Sequence, residues 1–292
     1  MIRPGLYEKM ERLDEVRSRA NLGVILIGIG IIIFFPSMAI LESEWLCLFA
    51  VLIAGLGAFF LIGLKGKYKR LYKQIFVEDT LDANFENVFY VWNSGFTKQQ
   101  IEDFKLFAKG AQYKSEDYLR ASYHGTDFEM AEVRIEKPDV YKELAVNGIY
   151  NDDQIVFKGR IIIFDFPGKI LNPTRIYSRN IDYRNTEAIL RSEKVEMESA
   201  AFNNVFQVYS RNPHDTFYLL TPHFMERLMV LNNKYKSIAI CFENNKVIFA
   251  FNERAKDVFD GEMMREKISH PEEIAKIQRE IDDIKYIIDT FN

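Results

Sequence analysis

A histidine beside a carboxylate is the simplest pairing for proton transfer near neutral pH. The chain places one such pair in adjacent positions, His214-Asp215, with His223 and Glu226 a few residues on. If the segments carrying them fold back on each other, His214, His223 and Asp215 make an acid-base cluster, the basis for a membrane-bound enzyme acting on a lipid or small molecule. If they do not, the same residues are a polar turn and a helix N-terminus with solvent-facing side chains. The other histidines, His124 and His270, stand apart from these and from both cysteines. No HExxH, CxxC, phosphate loop or GxSxG occurs, so no metal or cofactor is expected. Glu193, Glu196 and Glu198 alternate as on a solvated strand face, and Asp152-Asp153 reads as a turn that needs no metal. Cys47 lies in an apolar run and Cys241 in an apolar strand pattern, which suits a reducing compartment and core packing.

The elements that would position these groups divide at residue 64. Leu22 to Leu41 and Trp45 to Leu64 hold no charged residue, and each has about the 20 residues a helix needs to cross a bilayer. They predict a two-helix transmembrane hairpin over 22–64, joined by Glu42-Ser43-Glu44. Arg12, Arg17 and Arg19 precede it, and Lys65, Lys67, Lys69, Arg70 and Lys73 follow it. Positive flanks stay on the cytoplasmic side, so both termini are expected inside a multi-pass cell-membrane protein. The five basic residues after the second span are expected to contact the lipid surface. Ala50, Ala54 and Ala58 recur every four residues and put a small-residue face on the second span, for packing either on the first span or on a second copy. Pro36 falls near the end of the first span and predicts a kink. Without an ionisable residue in either span, a transporter or channel is not expected.

The remainder reads as a water-soluble α+β body. A mean hydropathy of −0.15 averages the spans with an ordinary charged domain. The net charge of −4 gives no reason to expect nucleic acid. Residues 1–21 form an amphipathic juxtamembrane segment on Leu6, Met10, Leu13, Val16 and Ala20, lying on lipid, on the folded domain or in a coiled coil. Residues 65–268 are expected to be a cytosolic domain with a mainly antiparallel sheet. The helix after the second span runs on through Leu71, Ile75, Phe76 and Leu81. Phe85, Val88, Phe89, Val91, Trp92 and Phe96 form an aromatic set expected to be buried. Thr97 with Gln100 is a capping box for a helix carrying Ile101, Phe104 and Phe107, with Gly110 as its stop. Tyr118 to Lys137 is rich in β-formers and ends at Pro138, and Asn147-Gly148 is a turn signal. Residues 154–166 make the strongest strand, with Gly159 as a bulge or close-approach point and Pro167-Gly168 as its end. Arg175 to Tyr177 and Lys194 to Glu198 are short strands, separated by a polar link and followed by the segment Phe202 to Ser210 and a turn at Asn212 to Asp215. Thr221-Pro222 starts a helix, and Asn244-Asn245 joins Ile238–Phe242 to Val247–Phe251 in a hairpin. Residues 269–292 predict a C-terminal amphipathic helix, capped by Ser269 and Glu272, with Ile274, Ile277, Ile281, Ile284, Ile288 and Phe291 on one stripe. It packs on its own domain or pairs with the N-terminal helix, a second copy or another protein.

Several of these pieces occur in a specific order: Phe157 and Gly159 before a strand, then Val195, Glu196, Glu198, Ser199 and Phe202, then Phe206 to Ser210, then Leu220-Thr221-Pro222 opening a helix, then the 237–251 hairpin. In that order the chain, from the transmembrane hairpin to about residue 252, resembles domain-of-unknown-function family 3137 of bacterial membrane proteins. The resemblance implies a two-span anchor with a cytosolic domain, association with small LemA-like membrane proteins, and no catalytic residue set. The reading that follows is a membrane-anchored cytosolic interaction or scaffold module with the lipid bilayer and a protein partner, or a second copy, as its contacts.

Overall fold

The computed structural model describes residues 6–39, 43–137, 155–168, 170, 172–181, 184–252, 259–261 and 270–291. Pro138, Asn147-Gly148, Asp152-Asp153, Leu41-Glu42 and Ser269 lie outside the described residues. Two compact units are present, one of residues 1–83 with 257–280 and one of residues 84–256 with 281–292.

In the first unit, α1 (Leu6–Ala39) is a single 34-residue helix, so the amphipathic segment and the first apolar run are continuous. Leu13, Val16 and Ala20 are buried on its inner face. Pro36 sits within the helix without ending it. At the next residue the Ser37 hydroxyl donates to the Ile33 carbonyl, one turn back, at 2.7 Å. α2 (Glu44–Tyr72) packs against α1, and both contain windows long and apolar enough to cross a membrane.

Small residues set that packing. A Cβ on Gly57 would lie 2.5 Å from the Gly23 carbonyl oxygen, and one on Gly30 would meet Ala50 O and Ala54 Cβ at 2.8 Å. Ala50 and Ala54 thus serve the contact between the two helices of one chain. Gly55, by contrast, faces open space. Gly57→Leu is therefore expected to destabilise the hairpin by about 1–3 kcal/mol through overpacking, whereas Gly55→Leu leaves it unchanged. Paired thermal melts in detergent check this; equal melts would mean that the close approach carries no weight.

The chain leaves α2 through one π-helical stretch, Lys73–Val77, and continues as α3 (Glu78–Asn84). The expected run-on through Ile75, Phe76 and Leu81 is present, and all three are buried.

The second unit is built on a nine-stranded, wholly antiparallel sheet. Its strands are β1 (Glu86–Val91), β2 (Gln112–Tyr123), β3 (Thr126–Glu136), β4 (Ile155–Asp165), β5 (Thr174–Ser178), β6 (Glu193–Val195), β7 (Phe206–Ser210), β8 (Ile238–Glu243) and β9 (Lys246–Asn252). Their order across the sheet is β1-β2-β3-β4-β9-β8-β5-β7-β6. The nearly unbroken apolar runs in β4, β8 and β9 follow from their central places, where both faces are covered.

On one face, α4 (Lys98–Asp103) and the loop after it bring Phe96, Ile101, Phe104, Leu106 and Phe107 over Val133, Phe157, Ile161, Tyr177, Ala239, Cys241 and Ala250. Three short helices, α5 (Thr186–Leu190), α6 (Ala200–Val205) and α7 (Pro213–Leu219), interrupt the connections around β6 and β7. α8 (Pro222–Tyr235) buries Met225, Leu228 and Leu231 and packs on β8, on the opposite face. The last helix, α9 (His270–Phe291), groups through Glu280 with the first unit and from Ile281 with the second. Phe291 ends it among the rings of Phe164, Phe224, Phe242 and Phe249, at 5.2–6.0 Å.

Several expectations need correction. The β-rich stretch Tyr118–Lys137 is strand as expected, holding the end of β2 and all of β3, joined at His124-Gly125, both at positive φ. The α4 capping box forms as expected, but the helix stops at Asp103, and Phe104 and Phe107 reach the core from the loop. Phe89 is exposed on edge strand β1. Gly159 pairs in register with Val133 and Asn252; the irregularity falls at Val156, opposite Ile135 and Glu136. Asn212–Asp215 is not a free turn but the start of α7, because Asn followed by Pro supplies a cap and a first helical residue.

Candidate functional site

The histidine-carboxylate cluster does not assemble. Asn212 caps α7 by accepting from the His214 amide at 3.1 Å, which turns the His214 ring outward onto Tyr218. The Asp215 carboxylate accepts from the side-chain amides of Asn172 at 2.5 Å and Asn212 at 3.0 Å. His223 lies exposed in the first turn of α8, behind its cap Thr221. Among the described residues no hydrogen bond or ion pair joins His214 or His223 to Asp215 or Glu226. Asp215 instead fastens the Asn172 segment to α7 and lines a cavity of about 260 Å³ with Phe166, Thr174 and Tyr218. Nor is Cys241 a nucleophile, since complete burial pushes its thiol up to about 12. Burial likewise raises the Tyr177 phenol, which donates to the Leu106 carbonyl at 3.0 Å. Among the described residues no group of three or more His, Cys, Asp or Glu is placed to hold a metal ion.

Two polar arrangements remain. The first lies where the chain leaves α2. A π-helical stretch places about one more residue in a turn, and here Lys73, Ile75, Phe76 and Val77 are all buried. The Lys73 ammonium, with its side chain fully buried, pairs with Asp260 Oδ1 at 2.9 Å, and Lys69 takes Oδ2 at 2.9 Å. Next to them the Tyr72 hydroxyl donates to Glu273, and Lys276 donates to the Asp260 carbonyl at 3.2 Å. Burial first, and then the Glu273 carboxylate, push the Tyr72 phenol far above its ordinary range. Burial alone would raise Asp260, but Lys73 and Lys69 outweigh it and hold the carboxyl below the usual range.

Of the five basic residues expected at the lipid surface, Lys65, Lys67 and Arg70 are therefore exposed, while Lys69 and Lys73 are committed to Asp260. Lys73, fully buried, is not placed for lipid contact. Asp260 and Glu273 were not singled out from the sequence. The available signal was Lys73 itself, on the same stripe as Tyr72 and Phe76, where a buried lysine requires a carboxylate.

The second arrangement is a cleft of about 230 Å³ in the sheet unit, where α4 and the loop after it meet α5 and the ends of β5 and β8. Arg175, almost wholly buried on β5, crosses its floor. Its Nε donates to the Lys105 carbonyl at 3.1 Å and its Nη2 to Glu243 at 3.0 Å. Lys105 adopts φ 51°, the left-handed conformation that commonly follows the end of a helix, here α4. Lys109, Arg191 and Arg211 stand on the walls.

Comparison with known proteins gives a family match over part of the chain. No curated protein matches the chain. Among solved structures, the crystal structure of the mycobacterial trehalose monomycolate transport factor A, TtfA, aligns at 9% identity over 75% of this chain and 94% of that one, with a TM-score of 0.35. At that score the two share too little geometry for either to inform the other. A family model described as "Protein of unknown function (DUF3137)" matches residues 155–292, from the first residue of β4 through α9. The match runs further toward the C-terminus than the resemblance read from the sequence, and it starts well after the apolar hairpin. Residues 155–292 thus match the DUF3137 family of proteins of unknown function, which supports the family resemblance read from the sequence.

Proposed function

We propose that this protein is a membrane-anchored interaction module, a two-helix anchor carrying an α+β domain that binds a protein partner or a second copy, with both termini on the cytoplasmic side. The observation that carries the reading is the outer surface of the helical pair. Leu22, Ile25, Ile32, Phe35, Trp45, Leu52, Phe59 and Ile62 are all exposed on α1 and α2, around a contact made by Gly23, Gly30, Ala50, Ala54 and Gly57. An apolar exterior around a small-residue contact suits lipid and would be a liability in water. The basic flanks support the orientation. The lack of a formed acid-base pair among His214, Asp215 and His223 favours binding over catalysis.

The experiment is alkaline extraction of membranes combined with cysteine labelling in intact cells, followed by crosslinking in native membranes. The protein is expected to stay in the membrane pellet. A Ser43→Cys substitution in a Cys47→Ala, Cys241→Ala background is expected to react with an impermeant maleimide from outside, whereas cysteines near either terminus stay unlabelled. Extraction into the supernatant, or outside labelling of the termini, would refute the anchor and orientation. Crosslinking that returned neither a partner nor a second copy would refute the interaction role.

A further inference from the structure

We propose that the cleft floored by Arg175 is a binding site for a compact phosphoryl anion. The argument begins with its charges. Of the four carboxylates lining it, Glu243 is taken by Arg175 at 3.0 Å and Glu187 by Arg191 at 2.8 Å. Glu102 faces Lys98 at 3.8 Å, and Asp103 accepts from the neutral amide of Gln99 at 2.9 Å. Among the described residues, Lys105, Lys109 and Arg211 have no ion-pair partner. The lining thus holds five cations against four carboxylates, and Lys105, Lys109 and Arg211 are the three left to meet an anion, for which a phosphoryl group offers several acceptor oxygens. Concave walls concentrate that potential.

Two further features fit a ligand better than a merely solvated surface. Lys105 ends α4 in the left-handed conformation, and its carbonyl accepts from the almost wholly buried Arg175 guanidinium, which fixes the cleft floor. The cleft's 230 Å³ corresponds to about eight waters at about 30 Å³ each, room for a phosphoryl group on a small organic body. The phosphoryl group can belong to a soluble metabolite or to a lipid headgroup; the recognising chemistry is the same.

The test uses the full chain in phosphatidylcholine nanodiscs, titrated calorimetrically with inorganic pyrophosphate against sodium chloride of equal ionic strength. Pyrophosphate is expected to bind saturably, and the Lys109→Ala, Arg211→Ala double variant is expected to weaken it at least tenfold. Both side chains are exposed, and circular dichroism confirms that the variant is folded. A second arm adds phosphatidic acid to the discs. Competition with pyrophosphate identifies a lipid phosphate as the source, and undiminished pyrophosphate binding identifies a soluble one; either supports the site. No saturable binding in phosphatidylcholine discs, or equal affinity in the double variant, overturns it. The outcome is independent of whether a protein partner is found.

Discussion

Asp260→Ala is expected to be among the most damaging single substitutions in this protein. It removes the carboxylate that Lys69 and the fully buried Lys73 share. Removing one partner of a buried pair costs about 3–5 kcal/mol; because Asp260 is one-third exposed, about 3 kcal/mol is the better expectation. The measurement is thermal unfolding in mild detergent, where that loss lowers the midpoint by several degrees. A change below 1 °C would show that the ion pair contributes nothing net. The pH dependence gives a second check. The folded-state carboxyl lies below its unfolded value, so its contribution is fully present above the ordinary aspartate value of about 3.9 and is lost as pH falls below that through the lower folded value. The gap between wild type and Asp260→Asn should therefore narrow as pH falls from about 5 to 3.

Phe291→Ala is the second. The residue next to the chain's last position is buried against four other rings, those of Phe164, Phe224, Phe242 and Phe249. Truncating such a side chain removes its transfer free energy and leaves a cavity, a cost of about 3–5 kcal/mol. Chemical denaturation should show the loss directly, with Ile274→Ala, at a half-buried position near the start of the same helix, as the milder comparison. Equal losses would mean that the last turn of α9 is not part of the sheet unit's core.

These two cases mark how far the sequence could be read. Local signals were read well because their physics is local. The Thr97–Gln100 capping box, the Thr221-Pro222 helix start and the Asn244-Asn245 turn, with φ of 54° and 58°, all form. The stripe of Ile277, Ile281, Ile284, Ile288 and Phe291 is buried in α9. Where the reading failed, a longer-range interaction decided. Lys73 looks like one more basic residue at a membrane exit until the π-helical stretch turns it inward toward Asp260, 187 positions away. The His214-Asp215 pair looked chemical because the two residues are adjacent. On a helix, however, neighbours diverge by about 100°, and each found its own partner, Tyr218 for the ring and two asparagine amides for the carboxylate. The cleft was not legible at all, because its walls come from four distant segments.

The strand order also governs how the domain is made. β1–β4 form one ladder of neighbours and β5–β7 with β6 another, and only the β8-β9 hairpin joins them, pairing with β4 on one side and β5 on the other. Until residue 252 has been synthesised, β4 and β5 therefore each lack the strand that pairs with their inner edge in the finished sheet. Unpaired edges are templates for wrong pairing. The hairpin inserted last is a keystone, and a chain interrupted before it carries two sticky edges rather than a smaller stable domain.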